Sequence, residues 1–475
     1  MKKLLLMILG VSMFFSCNKD FDELNIDTKN PSTVESGLLF AGATRQFSDA
    51  MVNTNVNRNI FRLLSQYWTE TTYIDESQYD LATRSIPQNF WNVIYTDVLK
   101  NLKDAQTKVA ADTKLSASEK ANRNACIEIM TVYAYSVLVN TFGNVPYTEA
   151  IDHTNVHPKY DDAATIYSDL LTRLDAAYAA IDASSEGFGS SDLLYGGDMA
   201  GWKTLASSLK LRMAMVIADV DPTKAASAAS SAISNGVISS NSQNVAFKYE
   251  SGTPNTNPVW NDLIQSGRKD FVAANTIVDK MLALNDPRIP HYFTTDANGI
   301  YSGGEYGYSN NYATYSKPSA SISNPSAEGV FIDYSEVEFL IAEAIARGFV
   351  SGDVEEHYNN AIAASVTYWG GTATEALTYI ASPSVSYGSA VGDWRQKIGT
   401  QKWFALYNRG FEGWTEWRKF DYPVLNIAED LTYEDIPTRY PYPVQEQNLN
   451  NANYTTAAAA VGGDEATTKL WWDKY

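Results

Sequence analysis

Cysteine is nearly missing from this chain: its 475 residues contain two, Cys17 and Cys126. Two thiols make no disulfide framework at this length, so the fold must rest on an ordinary hydrophobic core. Histidine is also scarce, with four residues. His153 and His157 stand at a metal-like spacing, but Thr154, Asn155 and Pro158 make the stretch a loop, with no cysteine or further histidine near. No GxxxxGK, GxSxG or HExxH pattern occurs, which removes the commonest phosphate-loop, serine-nucleophile and zinc-hydrolase chemistries. Positive charge is short as well. Lys and Arg total 36 against 55 Asp and Glu, a formal net charge of -19, with no basic block after the N-terminus. Nucleic acid and anionic membrane surfaces repel such a chain, so neither is expected as a partner. Beyond the N-terminal run, no segment reads as long and apolar enough to span a bilayer, which needs ~20 apolar residues.

What is present begins with MKKLLLMILGVSMFFSCNKDFDEL. Two lysines precede an apolar run from Leu4 to Phe15, the layout of an export signal occupying residues 1–16. Ser16-Cys17 sits where a lipoprotein signal peptidase would cut, so Cys17 is expected to carry the lipid and Cys126 to be a buried free thiol. Stable anchoring needs more than one acyl chain, each buried methylene adding ~0.8 kcal/mol. Residues 17–35 are polar and aperiodic, the character of a tether.

From Ser36 onward the pattern is mostly α. Helical spacing runs from Ser36 to Trp68, and Val93, Ile94, Val98, Leu102 and Ala105 mark the next helix. Another opens at Ser118-Glu119 and stops at Gly143 and Pro146. Later pairs are GWKTLASSLKLRMAMVIADV with DPTKAASAASSAISNGV, and FIDYSEVEFLIAEAIARGF with DVEEHYNNAIAASVTYWGG. Asp221-Pro222 and Asp353 are helix starts, and Gly348 and Gly370-Gly371 are stops. A last helix is expected from Trp394 to Asn408. Repeated helix, turn, helix with small residues at packing positions predicts tetratricopeptide-like stacked helix pairs. Residues 237–328, rich in Asn, Gly, Ser, Pro and Tyr, read as a large non-helical, loop-rich insertion of a kind more often functional than linking. The expectation is one domain, 17–475, carrying that insertion.

Aromatic content is the informative excess: 30 Tyr and 11 Trp against 18 Phe. Rings with polar edges suit half-wet surfaces. One group comprises Tyr67, Trp68, Tyr73 and Tyr79, with Arg84 among them; Phe90, Trp91 and Tyr95 beside it sit at a helix start and read as core. A second, IYSGGEYGYSNNYATY, sets Tyr301, Tyr306, Tyr308, Tyr312 and Tyr315 among glycines and amides. Such a mixture suits an uncharged polyhydroxyl ligand, rings stacking on C–H faces while amides reach hydroxyls, and it also suits peptide. Tyr67, Trp68, Tyr73, Tyr79, Arg84, Tyr301, Tyr306, Tyr308 and Tyr312 are the candidate contacts. No catalytic constellation is apparent. Carboxylate pairs are too numerous to discriminate a glycosidase. No metal site is expected, although Asp161-Asp162 leave a structural Ca²⁺ open.

Several segments together carry a family resemblance: CNKDFD after the signal, NTFGNVPYTEAI (140–151), WKTLASSLKLRMAM (202–215), NDPRIPHYF (285–293), YSEVEFLIAEA (334–344), QKWFALYNRGFEGWTEWRKFDYPVL (401–425), RYPYPVQEQNLN (439–450) and KLWWDK. In this order, nearly end to end, the chain resembles the SusD/RagB nutrient-binding outer-membrane lipoproteins of Bacteroidetes, in the SusD-like subgroup. The resemblance implies a helical, tetratricopeptide-like fold at the cell surface, lid to a SusC-type TonB-dependent transporter. It implies capture of an oligomeric nutrient, usually a glycan, without bond cleavage. The alternatives are oligopeptide capture, as in the RagB branch, a surface glycosidase, or a structural accessory to the barrel. The resemblance also gives Trp414, Trp417 and Arg418 a structural role, Arg stacking on Trp while pairing a carboxylate.

Overall fold

Helix-start chemistry shapes the frame. The structure, a computed structural model, describes residues 34–428 and 435–475; the signal, Cys17 and nearly all of the tether lie outside them. Ser116 accepts from the Glu119 amide while Glu119 reaches back, a capping box that opens the Ala117–Phe142 helix. Gly143 closes it at φ 87°, and a side chain there would press on Leu470 and Val461 at 3.2 Å. Asp162, Asp221, Asp333 and Asp353 cap Ala163–Ala180, Pro222–Asn235, Tyr334–Ala346 and Val354–Tyr368 through their carboxylates. Ala117–Phe142 packs on Ala163–Ala180, Met199–Val216 on Pro222–Asn235, and Tyr334–Ala346 on Val354–Tyr368. The fold is therefore mostly helical, built from tetratricopeptide-like stacked pairs. Cys126 is a free, buried thiol facing Met199.

Three expectations need correction. The Ala117–Phe142 helix is by length and composition apolar enough to cross a membrane, contrary to the sequence reading; it is a core helix, buried on almost every side. The helix expected from Ser36 to Trp68 stops at Val52 and resumes only for Phe61–Leu64. Residues 237–328 are not free of helix: Asn275–Leu284 is helical, with Ile277, Val278 and Met281 in the core and Asn285 ending it at φ 54°.

The C-terminal third is joined to the pairs by buried charge. The helices Trp394–Ala405 and Gly410–Phe420 pack against each other, and the first also packs on Tyr334–Ala346. Between them Lys402 meets Glu416 at 2.9 Å, Lys419 meets Glu416 and Glu343 at 2.8 Å, and Arg347 bridges Glu343 (2.9 Å) to Asp219 (2.8 Å). Nearby, Glu336 lies between Arg212 and Arg409. Burial raises its pKa, but the two guanidiniums outweigh burial and hold it down at about 2.

Arg418 lies over the Trp414 ring at 3.6 Å and near Trp472 at 4.9 Å, in keeping with the structural role expected. Its hydrogen bonds go to the carbonyls of Asn140 and Thr438, both 2.8 Å, rather than to a carboxylate. Burial lowers its pKa to about 9. Asp473, buried close by, has neither oxygen hydrogen-bonded, and burial against the pull of Arg418 and Lys469 raises its pKa from 3.8 to about 6. A carboxyl whose folded pKa is raised contributes stability that is complete below 3.8 and lost as pH rises through about 6. Asp473→Asn should therefore stabilise the protein at neutral pH, by about 3 kcal/mol at most, with no gain at about pH 3.5. Calorimetric melting at the two pH values checks it.

Candidate ligand-binding cleft

The sequence NTNVNRN (53–59) leaves the helix because asparagine side chains compete for backbone groups two residues on. The Asn55 amide donates to Asn53 Oδ1 at 2.7 Å and the Asn57 amide to Asn55 Oδ1 at 3.0 Å. From beneath, Arg62 donates to the carbonyls of Val52 (2.8 Å) and Asn53 (3.0 Å), while its guanidinium lies 5.1 Å from the centre of the Trp68 ring. Thr54 pins the loop sideways through a 3.0 Å bond to Asp262. The result is a braced ridge of exposed amides.

One short sheet brings the two aromatic groups together. Trp68–Glu70 pairs antiparallel with Phe271–Ala273, Thr69 opposite Val272. Ser309 Oγ donates to the Thr71 carbonyl (2.8 Å) and Asn310 Nδ2 to that of Glu70 (3.1 Å), so the second loop is laced along the first. The rings then divide by depth. Tyr67, Trp68, Tyr79 and Tyr306, expected at the ligand, are buried in the core. The physical reason is that their polar edges find partners inside. Tyr67 Oη donates to the Trp403 carbonyl and Tyr306 Oη to that of Leu63, both at 2.7 Å; Trp68 Nε1 donates to Tyr407 Oη at 2.9 Å; and Tyr79 Oη accepts from Gln66 at 3.1 Å. Phe90 and Trp91 are core, as read, and Tyr95 is half-buried against it.

Tyr301, Tyr308 and Tyr312 are half-buried. Tyr301 packs against the main core. Lys269 and Lys317 stand 5.7 and 5.1 Å from the centre of the Tyr312 ring. Tyr73 differs from all of them. It is 74% exposed, and among the described residues the only other exposed aromatic side chain is Tyr475, at 38%. Its φ of 56° is one that non-glycine residues rarely adopt, and strain of this kind, ~1–3 kcal/mol, gathers at ligand sites.

Tyr73 borders a cleft with Asn55, Asn57, Thr72, Arg84 and Arg268. Both guanidiniums are already paired, Arg84 with buried Glu76 and Arg268 with Asp270, so the cleft is polar and presents no free cation among the described residues, with Asp262 on its wall bonded to Thr54. Glu70 forms its inner wall. Burial, then the adjacent Glu76, push its pKa well above the usual carboxylate range. Glu76 Oε2 has no hydrogen-bond donor among the described residues, although Glu76 Oε1 is paired with Arg84. Glu70 braces the turn: its Oε2 accepts from the Ser77 amide (2.8 Å) and hydroxyl (2.9 Å).

Asn55, Asn57, Asp262 and Arg268 escaped the sequence reading. The alternating amides of NTNVNRN were the available signal, masked by treating the stretch as helix. Asp161, weighed for Ca²⁺, accepts from the amides of Tyr147 and Thr148 at 3.2 and 2.7 Å, and Asp162 caps a helix. Among the described residues no group of three or more His, Cys, Asp or Glu is arranged to hold a metal.

Solved structures share this architecture. One described as a chitin-binding protein has a TM-score of 0.81 at 26% identity, covering 93% of this chain and 100% of that one. A chitin-binding SusD homolog from Flavobacterium johnsoniae gives 0.79 at 25% identity, covering 92% and 98%. A SusD homolog from Bacteroides uniformis gives 0.79 at 25%, covering 92% and 99%. No curated protein matches. The profile of a family described as "Starch-binding associating with outer membrane" matches residues 28–443, and the chain belongs to that SusD-like family.

Proposed function

We propose that this protein captures an oligomeric glycan at the cell surface and passes it to a SusC-type TonB-dependent transporter, breaking no bond. In this reading it is held to the outer membrane by lipid on Cys17, facing outward. Family membership supports the class of role, and two similar structures described as chitin-binding support carbohydrate. The observation that carries the reading is Tyr73, a strained, exposed ring beside a cleft of amides and charge-paired guanidiniums. A ring face takes the C–H surface of a sugar, and neutral polar groups reach its hydroxyls without the desolvation cost of unpaired charge. Arg84, Tyr308 and Tyr312 are proposed as flanking contacts. Buried Tyr67, Trp68, Tyr79 and Tyr306 are proposed to support the site from within, together with half-buried Tyr301.

Affinity electrophoresis and calorimetry of the purified protein against plant, host and microbial polysaccharides, with a peptide pool alongside, test the proposal. Tyr73→Ala should weaken polysaccharide binding about tenfold or more, ~1.4 kcal/mol, with an unchanged melting temperature. Peptide binding alone would move the protein to oligopeptide capture, turnover of a glycoside would make it an enzyme, and silence on both panels would favour an accessory to the barrel.

A further inference from the structure

The Asn53–Arg58 loop has hollows on both sides. Tyr73, Arg84 and Arg268 border the first, of about 130 Å³; Gln46, Arg58 and Asn261 border the second, of about 220 Å³. Asp262 lines both and holds the loop between them through Thr54. The second hollow has an apolar floor of Phe90, Val93 and Pro258 under a rim of amide and guanidinium. Two elements that form it are π-helical: Val93–Leu99, which supplies Val93, and Asn261–Gln265, which supplies Asn261 and Asp262. Such wide turns are rare and occur frequently at functional sites. Asp49 on the wall accepts from Tyr249 Oη at 2.8 Å and meets Arg45 at 3.5 Å.

We propose that the second hollow is a further subsite for the same ligand. An extended, uncharged oligomer stacked on Tyr73 crosses the asparagine ridge and settles between Gln46, Arg58 and Asn261. This rests on the glycan reading. The second hollow's apolar floor and polar rim suit a sugar unit, and it shares the asparagine loop and the Asp262 wall with the first hollow. Affinity should thus depend on chain length, and the residues beyond the ridge should set that dependence.

Calorimetry of the full-length protein in detergent, with chitooligosaccharides and maltooligosaccharides of about two to seven units, tests this. In the series that binds, affinity should climb about tenfold or more from shortest to longest. Gln46→Ala with Arg58→Ala, both exposed positions, should bring that ratio close to one, whereas Tyr73→Ala should weaken every length. Affinity independent of length, or a climb unchanged in the double variant, overturns the second subsite while the glycan reading at Tyr73 stands. Failure of the unaltered protein to bind either series or any polysaccharide of the wider panel overturns both.

Discussion

Trp68→Ala is expected to lower the free energy of unfolding by about 3–5 kcal/mol and to abolish binding along with the fold around the cleft. The indole is 1% exposed, tilted against Phe271 at 5.7 Å, and bonded through Nε1 to Tyr407. Above it lies Arg62, buried, its pKa lowered to about 10 by burial, holding the first carbonyls of the asparagine ridge. Removing the ring opens a cavity directly under the cleft and takes away the face on which that guanidinium rests. Trp68→Phe separates the two contributions: most of the packing remains, and the lost N–H bond should cost about 1 kcal/mol. Urea unfolding with binding on the same samples reads both. An alanine variant of normal stability that binds no ligand would return Trp68 to direct contact, where the sequence first suggested it.

Glu416→Ala should cost a comparable amount, about 3–5 kcal/mol, through charge rather than packing. Lys402 has no other ion-pair partner among the described residues, whereas Lys419 keeps Glu343. The variant leaves a buried ammonium unpaired on the helix Trp394–Ala405. Burial already lowers the pKa of Lys402, and loss of Glu416 lowers it further. A base with a depressed folded pKa regains stability as pH rises toward its unfolded value, so the deficit should shrink toward about pH 10. Replacing both partners by hydrophobic residues, Lys402→Met with Glu416→Leu, should recover most of the loss, because no charge is then stranded. Equal instability of the double variant would mean that this ion pair orients the two helices instead of merely neutralising itself.

The helical frame was legible because its causes are local. Asp221 before Pro222, Asp353 before an amphipathic run, and Gly143, Gly348 and Gly370 at the stops each act within a few residues of themselves. The places where reading failed are those where one local signal masked another. The apolar spacing of 36–68 suggested one helix, yet a cluster of asparagines in NTNVNRN bonded its own backbone instead. NTIVDKMLAL carried helical spacing inside a stretch whose Asn, Gly and Tyr content argued for loop.

The candidate cleft was half legible. Composition marked the two segments, 67–84 and 301–315, and the structure does bring them together. Which rings meet solvent is another matter. Along the chain Tyr67, Trp68, Tyr73 and Tyr79 look alike, since each is an aromatic side chain in polar company. The pairing of Trp68–Glu70 with Phe271–Ala273, some two hundred residues away, turns Trp68 inward, and of Tyr73 and Tyr79, both at positive φ, only Tyr79 finds a buried partner, Gln66. The sequence by itself therefore determined the class of fold, most helix ends and one segment on the cleft, 67–84, all set by interactions between near neighbours. Only the tertiary structure decided that Tyr73 is the exposed ring and that the asparagine loop is the ridge beside it, because burial depends on contacts between residues that no local pattern links.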